Sequence, residues 1–185
     1  MKEICNNFPI TEKEYRDLNK KFGKLCYYAA HQLKKKNSKN NVAEDIDDIN
    51  QELQLSIIRA GSYYKRQLFI EKSIRLCKIY VKDSFLKTIV LNLEKLWSNR
   101  TKHGANRQKF GDYQELLLSK VVEHSVPKEQ APNKNEYLKI DSKFSTYCKA
   151  IVWNGQKSMG KKITKEKNIR TGLCSLSEYD YLAKN

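Results

Sequence analysis

Apolar residues recur at intervals of three and four along most of this chain, and helix breakers are few: seven glycines and three prolines in 185 residues. Such spacing lines one face of a 3.6-residue helix and does not give the alternation of a half-buried strand. Thr11 and Glu14 stand at capping-box separation, in which each side chain satisfies the other's backbone N–H. Tyr15, Leu18, Phe22, Leu25, Ala29 and Leu33 then mark one face. Lys34, Lys35 and Lys36 end that helix with cations suited to the negative end of its dipole. A second helix is predicted over roughly 43–64, with Ile46, Ile49, Leu53, Ile57, Ala60 and Tyr64 inward, and a third through Ile70, Ile74, Cys77 and Val81. Asp83 or Ser84 can cap a fourth, carrying Phe85, Ile89, Leu93, Leu96 and a core Trp97. A polar link over 98–111 leads to a short helix near 112–123, and residues 125–136, with Pro127 and Pro132, read as a loop. A basic aromatic helix and a short tail element near 175–183 complete an all-α chain without internal repeats.

With 39% hydrophobic residues the chain can bury a core, so it is not expected to be disordered. The longest apolar runs are a few residues, too short for a transmembrane helix, and Met-Lys-Glu-Ile-Cys-Asn-Asn lacks the apolar stretch of a signal peptide. No membrane partner is expected. Cys5, Cys26, Cys77, Cys148 and Cys174 are widely spread with no C-x-x-C pair, which suits reduced thiols in a cytoplasm rather than a disulfide framework or a zinc site. Neither a metal nor another cofactor is expected. A net charge of +15 calls for a polyanionic partner, and nucleic acid is the leading candidate.

Two segments concentrate the charge. Residues 143–170 place Phe144, Tyr147 and Trp153 among Lys143, Lys149, Lys157, Lys161, Lys162, Lys165, Lys167 and Arg170, with Glu166 the one acid. Cations track phosphate and rings stack on unpaired bases, so the pattern suits a nucleic acid with exposed bases. The same residues also describe an amphipathic helix with a core-facing aromatic stripe and a solvated lysine face. Residues 42–54 are the opposite: Glu44, Asp45, Asp47, Asp48 and Glu52, with no lysine or arginine. Carboxylates stabilise a helix N-terminus by about 0.3–1 kcal/mol each. That accounts for the first turn but not for Glu52, and the segment reads as a docking face for a basic protein surface, kept apart from the basic helix. Gly155 and Gly160 each cost about 1 kcal/mol relative to alanine in a helix. They mark either close approach of backbone to DNA or a kink or helix end.

Asp48-Ile49-Asn50-Gln51-Glu52-Leu53-Gln54-Leu55-Ser56-Ile57-Ile58-Arg59-Ala60 resembles, without gaps, the core-binding helix in conserved region 2 of bacterial RNA polymerase sigma factors. Lys143-Phe144-Ser145-Thr146-Tyr147 is similar to the segment that opens the promoter-melting, −10-reading helix of that region. Ile169-Arg170 and Ser175-Leu176-Ser177-Glu178 resemble the family's sequence immediately downstream of region 2, so the likeness spans residues 12–64 and 143–178. It implies a sigma region 2-like helical bundle: one composite domain of residues 1–64 and 142–185, interrupted by a long helical insertion with its loop over 65–141. It implies that Asp47, Asp48, Ile49, Gln51, Glu52 and Leu55 meet the arginine-rich clamp coiled coil of polymerase core. Asp48, Gln51 and Glu52 would supply charge-assisted and amide hydrogen bonds there. It further implies that Lys143, Phe144, Thr146, Tyr147, Lys149, Ile151, Asn154, Lys157, Lys161 and Lys162 contact promoter DNA. Phe144 and Tyr147 match the positions that capture a flipped adenine of the unpaired non-template strand. Asn154 falls where an amide reads the upstream edge of the −10 element, and Lys149, Lys157, Lys161 and Lys162 would hold phosphates.

The departures change the expectation. Ala150 and Ile151 align with the family's paired wedge tryptophans, and Trp153 lies roughly 200° further round a helix than Ile151, so an altered −10 preference is expected. Fifteen residues follow Arg170, and a −35-reading helix-turn-helix domain is not expected. The implied protein is similar to reduced phage late sigma factors, which work with a co-activator or from a −10-like element alone, in the bacterial cytoplasm or nucleoid. The competing reading is a basic helical single-strand nucleic-acid binder independent of polymerase. A nuclease built on His103 or His124 ranks third: Lys-His-Gly-Ala-Asn-Arg-Gln reads better as a basic inter-helix link in which Arg100, Lys102, Arg107 and Lys109 add phosphate contacts. Cys26 and His31, five apart, read as packing residues, and no catalytic residues are expected.

Overall fold

The computed structural model describes residues 8–37, 46–99 and 110–182, with the side chains of 37, 166–168 and 170–182 outside the description. Five helices account for its regular structure, with no strand among the described residues: α1 (Glu12–Asn37), α2 (Ile46–Tyr80), α3 (Ser84–Asn99), α4 (Asp112–Ser125) and α5 (Ser142–Leu182). The chain is all-α. Among the described residues no helix is long and apolar enough to cross a membrane.

Local chemistry sets the helix starts. The Thr11 hydroxyl accepts from the Glu14 N–H at 3.3 Å, and the Glu14 carboxylate accepts from the Thr11 N–H at 2.7 Å, which is a closed capping box. Asp83 caps α3 by accepting from the Leu86 N–H at 2.8 Å. Asp141 caps α5 by accepting from the Phe144 N–H at 2.7 Å.

Two predicted boundaries are absent. The second and third predicted helices are one, because residues 64–70 hold no glycine or proline to stop α2. The apolar period loses phase there only because buried polar residues (Lys65, Arg66 and Ser73) occupy the inward positions. Likewise α5 runs unbroken through the predicted tail element.

The chain divides into two compact units: Met1–Pro9 with Ser62–Tyr137, and Ile10–Gly61 with Leu138–Asn185. In the first, Phe69, Ile70, Ile74 and Cys77 of α2 pack with Val90, Leu93 and Trp97 of α3 and with Leu118, Val121 and Val122 of α4. Trp97 is core as predicted, edge-on to Phe110 at 5.1 Å, whereas Phe85 is 71% exposed. A charged network ties α4 to α2: Arg66 Nε lies 2.7 Å from Glu115, and Lys134 Nζ lies 3.8 Å from the same carboxylate. Lys134 also sits 5.4 Å from the Phe69 ring centroid, within cation–π reach.

The second unit holds both charged segments. Leu18, Phe22, Cys26, Ala29 and Leu33 of α1 are buried with Ile49, Leu53, Ile57 and Ala60 of α2 and Phe144, Cys148, Val152 and Ile163 of α5. Tyr15, predicted inward, is 36% exposed. Gln156 donates from Nε2 to the Ala29 carbonyl at 2.8 Å, so even the buried amide of α5 is spoken for by α1. Gly155 and Gly160 do not end α5, which continues past both. A Cβ at Gly155 would stand 3.0 Å from Leu53 Cδ2, and one at Gly160 would stand 3.2 Å from Leu33 Cδ1. The glycines serve close helix packing inside this unit.

Candidate nucleic-acid interface

The acidic half of the site lies on the first turns of α2. Asp47, Asp48, Gln51, Glu52 and Leu55 are all exposed, Leu55 by 43%. Asp48, Gln51, Glu52 and Leu55 recur at three- and four-residue intervals and therefore form one outward stripe. Ile49 is the exception. It is 4% exposed and starts the inward series Ile49, Leu53, Ile57, so most of its side chain packs beneath the stripe. Glu44 and Asp45 lie outside the described residues.

The basic half lies on α5. Lys143, Thr146, Tyr147, Lys149, Asn154, Lys157, Lys161 and Lys162 are exposed, and Ile151 and Trp153 are half-buried. Lys143, Tyr147, Asn154, Lys157 and Lys161 share an outward face. The Thr146 hydroxyl donates to the Ser142 carbonyl at 3.0 Å, inside its own helix. Phe144 corrects the sequence reading: it is 0% exposed and packs edge-on against Phe22 at 6.4 Å. A ring so placed stabilises the core and is unable to stack on a base. Tyr147, 38% exposed, keeps that capacity. The signal was in the sequence, because Phe144, Cys148 and Val152 stand four apart and continue the apolar face of α5.

The two halves adjoin, contrary to the expected separation. Asp48, Ile49, Glu52 and Ser56 of α2 line a groove of about 430 Å³ with Gly155, Ser158, Met159 and Lys162 of α5. Carboxylates therefore border one side of the groove and an ammonium the other. Sequence reasoning misses Ser56, Ser158 and Met159. Their only signal is spacing, Ser56 four beyond Glu52 and Met159 four beyond Gly155, and the pairing of the two helices is a long-range event.

The described thiols, Cys26, Cys77 and Cys148, are buried and behave as packing atoms. Burial pushes the Cys26 thiol up to about 11 and the Cys148 thiol to about 12, with neighbouring Cys26 adding to the rise at Cys148. Cys26 is fully buried whereas exposed His31 packs edge-on to Tyr27 at 4.3 Å, so these two do not form a site. Among the described residues no three His, Cys, Asp or Glu side chains are grouped to hold a metal ion. His103, with its basic link, lies outside the described residues, and His124 is exposed on α4. Comparison with protein-family models, curated proteins and solved structures finds no match for this chain.

Proposed function

We propose that this chain is a sigma-like transcription initiation factor that binds bacterial RNA polymerase core and an unpaired −10-type promoter strand. The observation that carries the reading is the co-exposure, on one helical unit, of the acid–amide stripe Asp48, Gln51, Glu52 and Leu55 and the basic aromatic face Lys143, Tyr147, Asn154, Lys157 and Lys161. Both stand in the order expected from the sigma region 2 resemblance. Asp48, Gln51 and Glu52 offer anionic and amide acceptors to clamp arginines. Tyr147 offers one stacking platform, worth about 1–3 kcal/mol per base, and the lysines hold phosphates without reading sequence. With Phe144 in the core, base capture falls to Tyr147 alone. Ala150 stands exposed at a wedge position, so opening relies on polymerase and on a co-activator rather than on wedge tryptophans.

Co-elution of the purified chain with bacterial core polymerase tests this, with Gln51→Ala/Glu52→Arg as the control. Stoichiometric binding that the control loses supports the reading. If both proteins fail to co-elute with the cognate enzyme while single-strand affinity persists, the chain is a polymerase-independent nucleic-acid binder.

A further inference from the structure

The outward side of α1 carries a second alternation of cations and rings. Lys20, Lys24, Tyr27, His31 and Lys34 recur at intervals of four, three, four and three, so they share one helix face, and all are exposed. That face lies opposite the stripe that buries Leu18, Phe22, Ala29 and Leu33. Tyr27 is 50% exposed and its neighbour Tyr28 is 56% exposed. Each ring is nonetheless held: Tyr27 edge-on against His31 at 4.3 Å, and Tyr28 by a 2.7 Å hydrogen bond that its hydroxyl accepts from Gln32 Nε2. Between Lys20 and Lys34 the helix has no acidic residue, and its aliphatic side chains are buried or, at Leu25, half-buried.

Each alternative partner lacks something on this face. A membrane surface is best met by Leu, Phe or Trp side chains that insert, and the face between the lysines offers only two tyrosines, each held by a neighbour on its own helix. A duplex uses the cations but leaves two ordered, exposed rings without a role. An unpaired strand uses both. We propose that this face of α1 binds single-stranded nucleic acid, with phosphates on Lys20, Lys24 and Lys34 and bases stacked on Tyr27 and Tyr28. The cations extend over about 21 Å at 1.5 Å per helical residue. The strand on α1 is separate from the one assigned to α5 and does not depend on polymerase.

The test uses the full chain and a fluorescein-labelled oligothymidylate of about fifteen nucleotides, followed by anisotropy over a salt series, with circular dichroism to confirm folding. Lys20→Glu/Lys24→Glu is expected to weaken binding about tenfold or more and to lower the log–log salt slope by about 1.4, or about 0.7 per lost phosphate contact. Tyr27→Ala/Tyr28→Ala is expected to weaken binding about tenfold with the slope unchanged, the signature of lost stacking. Lys82→Glu/Lys128→Glu makes the same charge change at exposed positions of the other unit and controls for net charge. Photo-crosslinking to a 5-bromouracil oligonucleotide is expected to label the tryptic peptide 25–34. The proposal is overturned if the α1 lysine pair weakens binding no more than the control pair, or if crosslinks map to α5 alone. It is equally overturned if the substitutions abolish binding to phosphatidylserine vesicles and leave oligonucleotide binding intact.

Discussion

The carboxylate of Glu14 accepts a 2.5 Å hydrogen bond from the backbone N–H of Leu138, 124 residues further along the chain. The same side chain closes the α1 capping box with Thr11 and is 1% exposed. One residue thus starts the first helix of its unit and fixes the backbone segment that leads into the last.

Glu14→Ala removes the cap, typically worth about 1 kcal/mol, and strands a buried N–H at about 1–3 kcal/mol. A loss of about 2–4 kcal/mol is expected in urea denaturation, against about 1 kcal/mol for Thr11→Ala. Equal losses in the two variants would show that the Leu138 contact contributes nothing.

Arg66 and Glu115 pair at 2.7 Å with side chains only 8% and 6% exposed. Removing one partner leaves a buried charge, so Arg66→Ala is expected to cost about 3–5 kcal/mol. Replacing both, as Arg66→Met/Glu115→Leu, is expected to be much milder. A double-mutant cycle checks this: single and double losses that simply add would refute coupling.

Phe144 and Tyr147 separate stability from binding. Phe144→Ala is expected to lower stability by about 3–5 kcal/mol, as for a buried phenyl ring. Tyr147→Ala is expected to cost clearly less than that, because Tyr147 is 38% exposed. On the proposed function, Tyr147→Ala keeps polymerase binding and loses permanganate-reactive thymines in the promoter bubble. Undiminished reactivity would remove Tyr147 from promoter opening.

The buried thiols make stability fall in alkali. Burial raises Cys26 and Cys77 from the ordinary 9.0 to about 11, and Cys148 to about 12. Each raised value contributes stability that is fully present below pH 9, where thiols are neutral in both states. Above it the unfolded thiols ionise first, and the contribution is lost as pH rises through about 11–12. Cys26→Ala/Cys148→Ala, though less stable at neutral pH, is expected to lose stability less steeply between pH 9 and about 11. Parallel curves from calorimetry would refute the linkage.

Much of the helical plan is legible in the sequence because it is local. The Thr11–Glu14 box, the Asp83 cap and the four-residue spacing of Leu18, Phe22 and Cys26 are decided within a turn or two. The misread boundary in α2 has an equally specific cause: Lys65, Arg66 and Ser73 are buried polar residues, and hydropathy alone gives no reason to place them inside. What makes Lys65 and Arg66 inward is distant chain, the Pro9 carbonyl 3.0 Å from Lys65 Nζ and the Glu115 carboxylate beside Arg66.

The candidate site divides the same way. The acid-rich start of α2 and the lysine face of α5 are set by charge and helix period, since taking a charge out of water is costly wherever the helix packs. Which ring of α5 is core and which is exposed depends on Phe22 of another helix. Whether Gly155 approaches DNA or a neighbouring helix depends on Leu53, against which it packs. The sequence alone determined helices, caps and charged faces, because those arise from interactions within a few residues. Only the tertiary structure decided that Ile49 and Phe144 are core and that Glu52 and Lys162 border one groove, because burial is a property of the neighbours that long-range packing supplies.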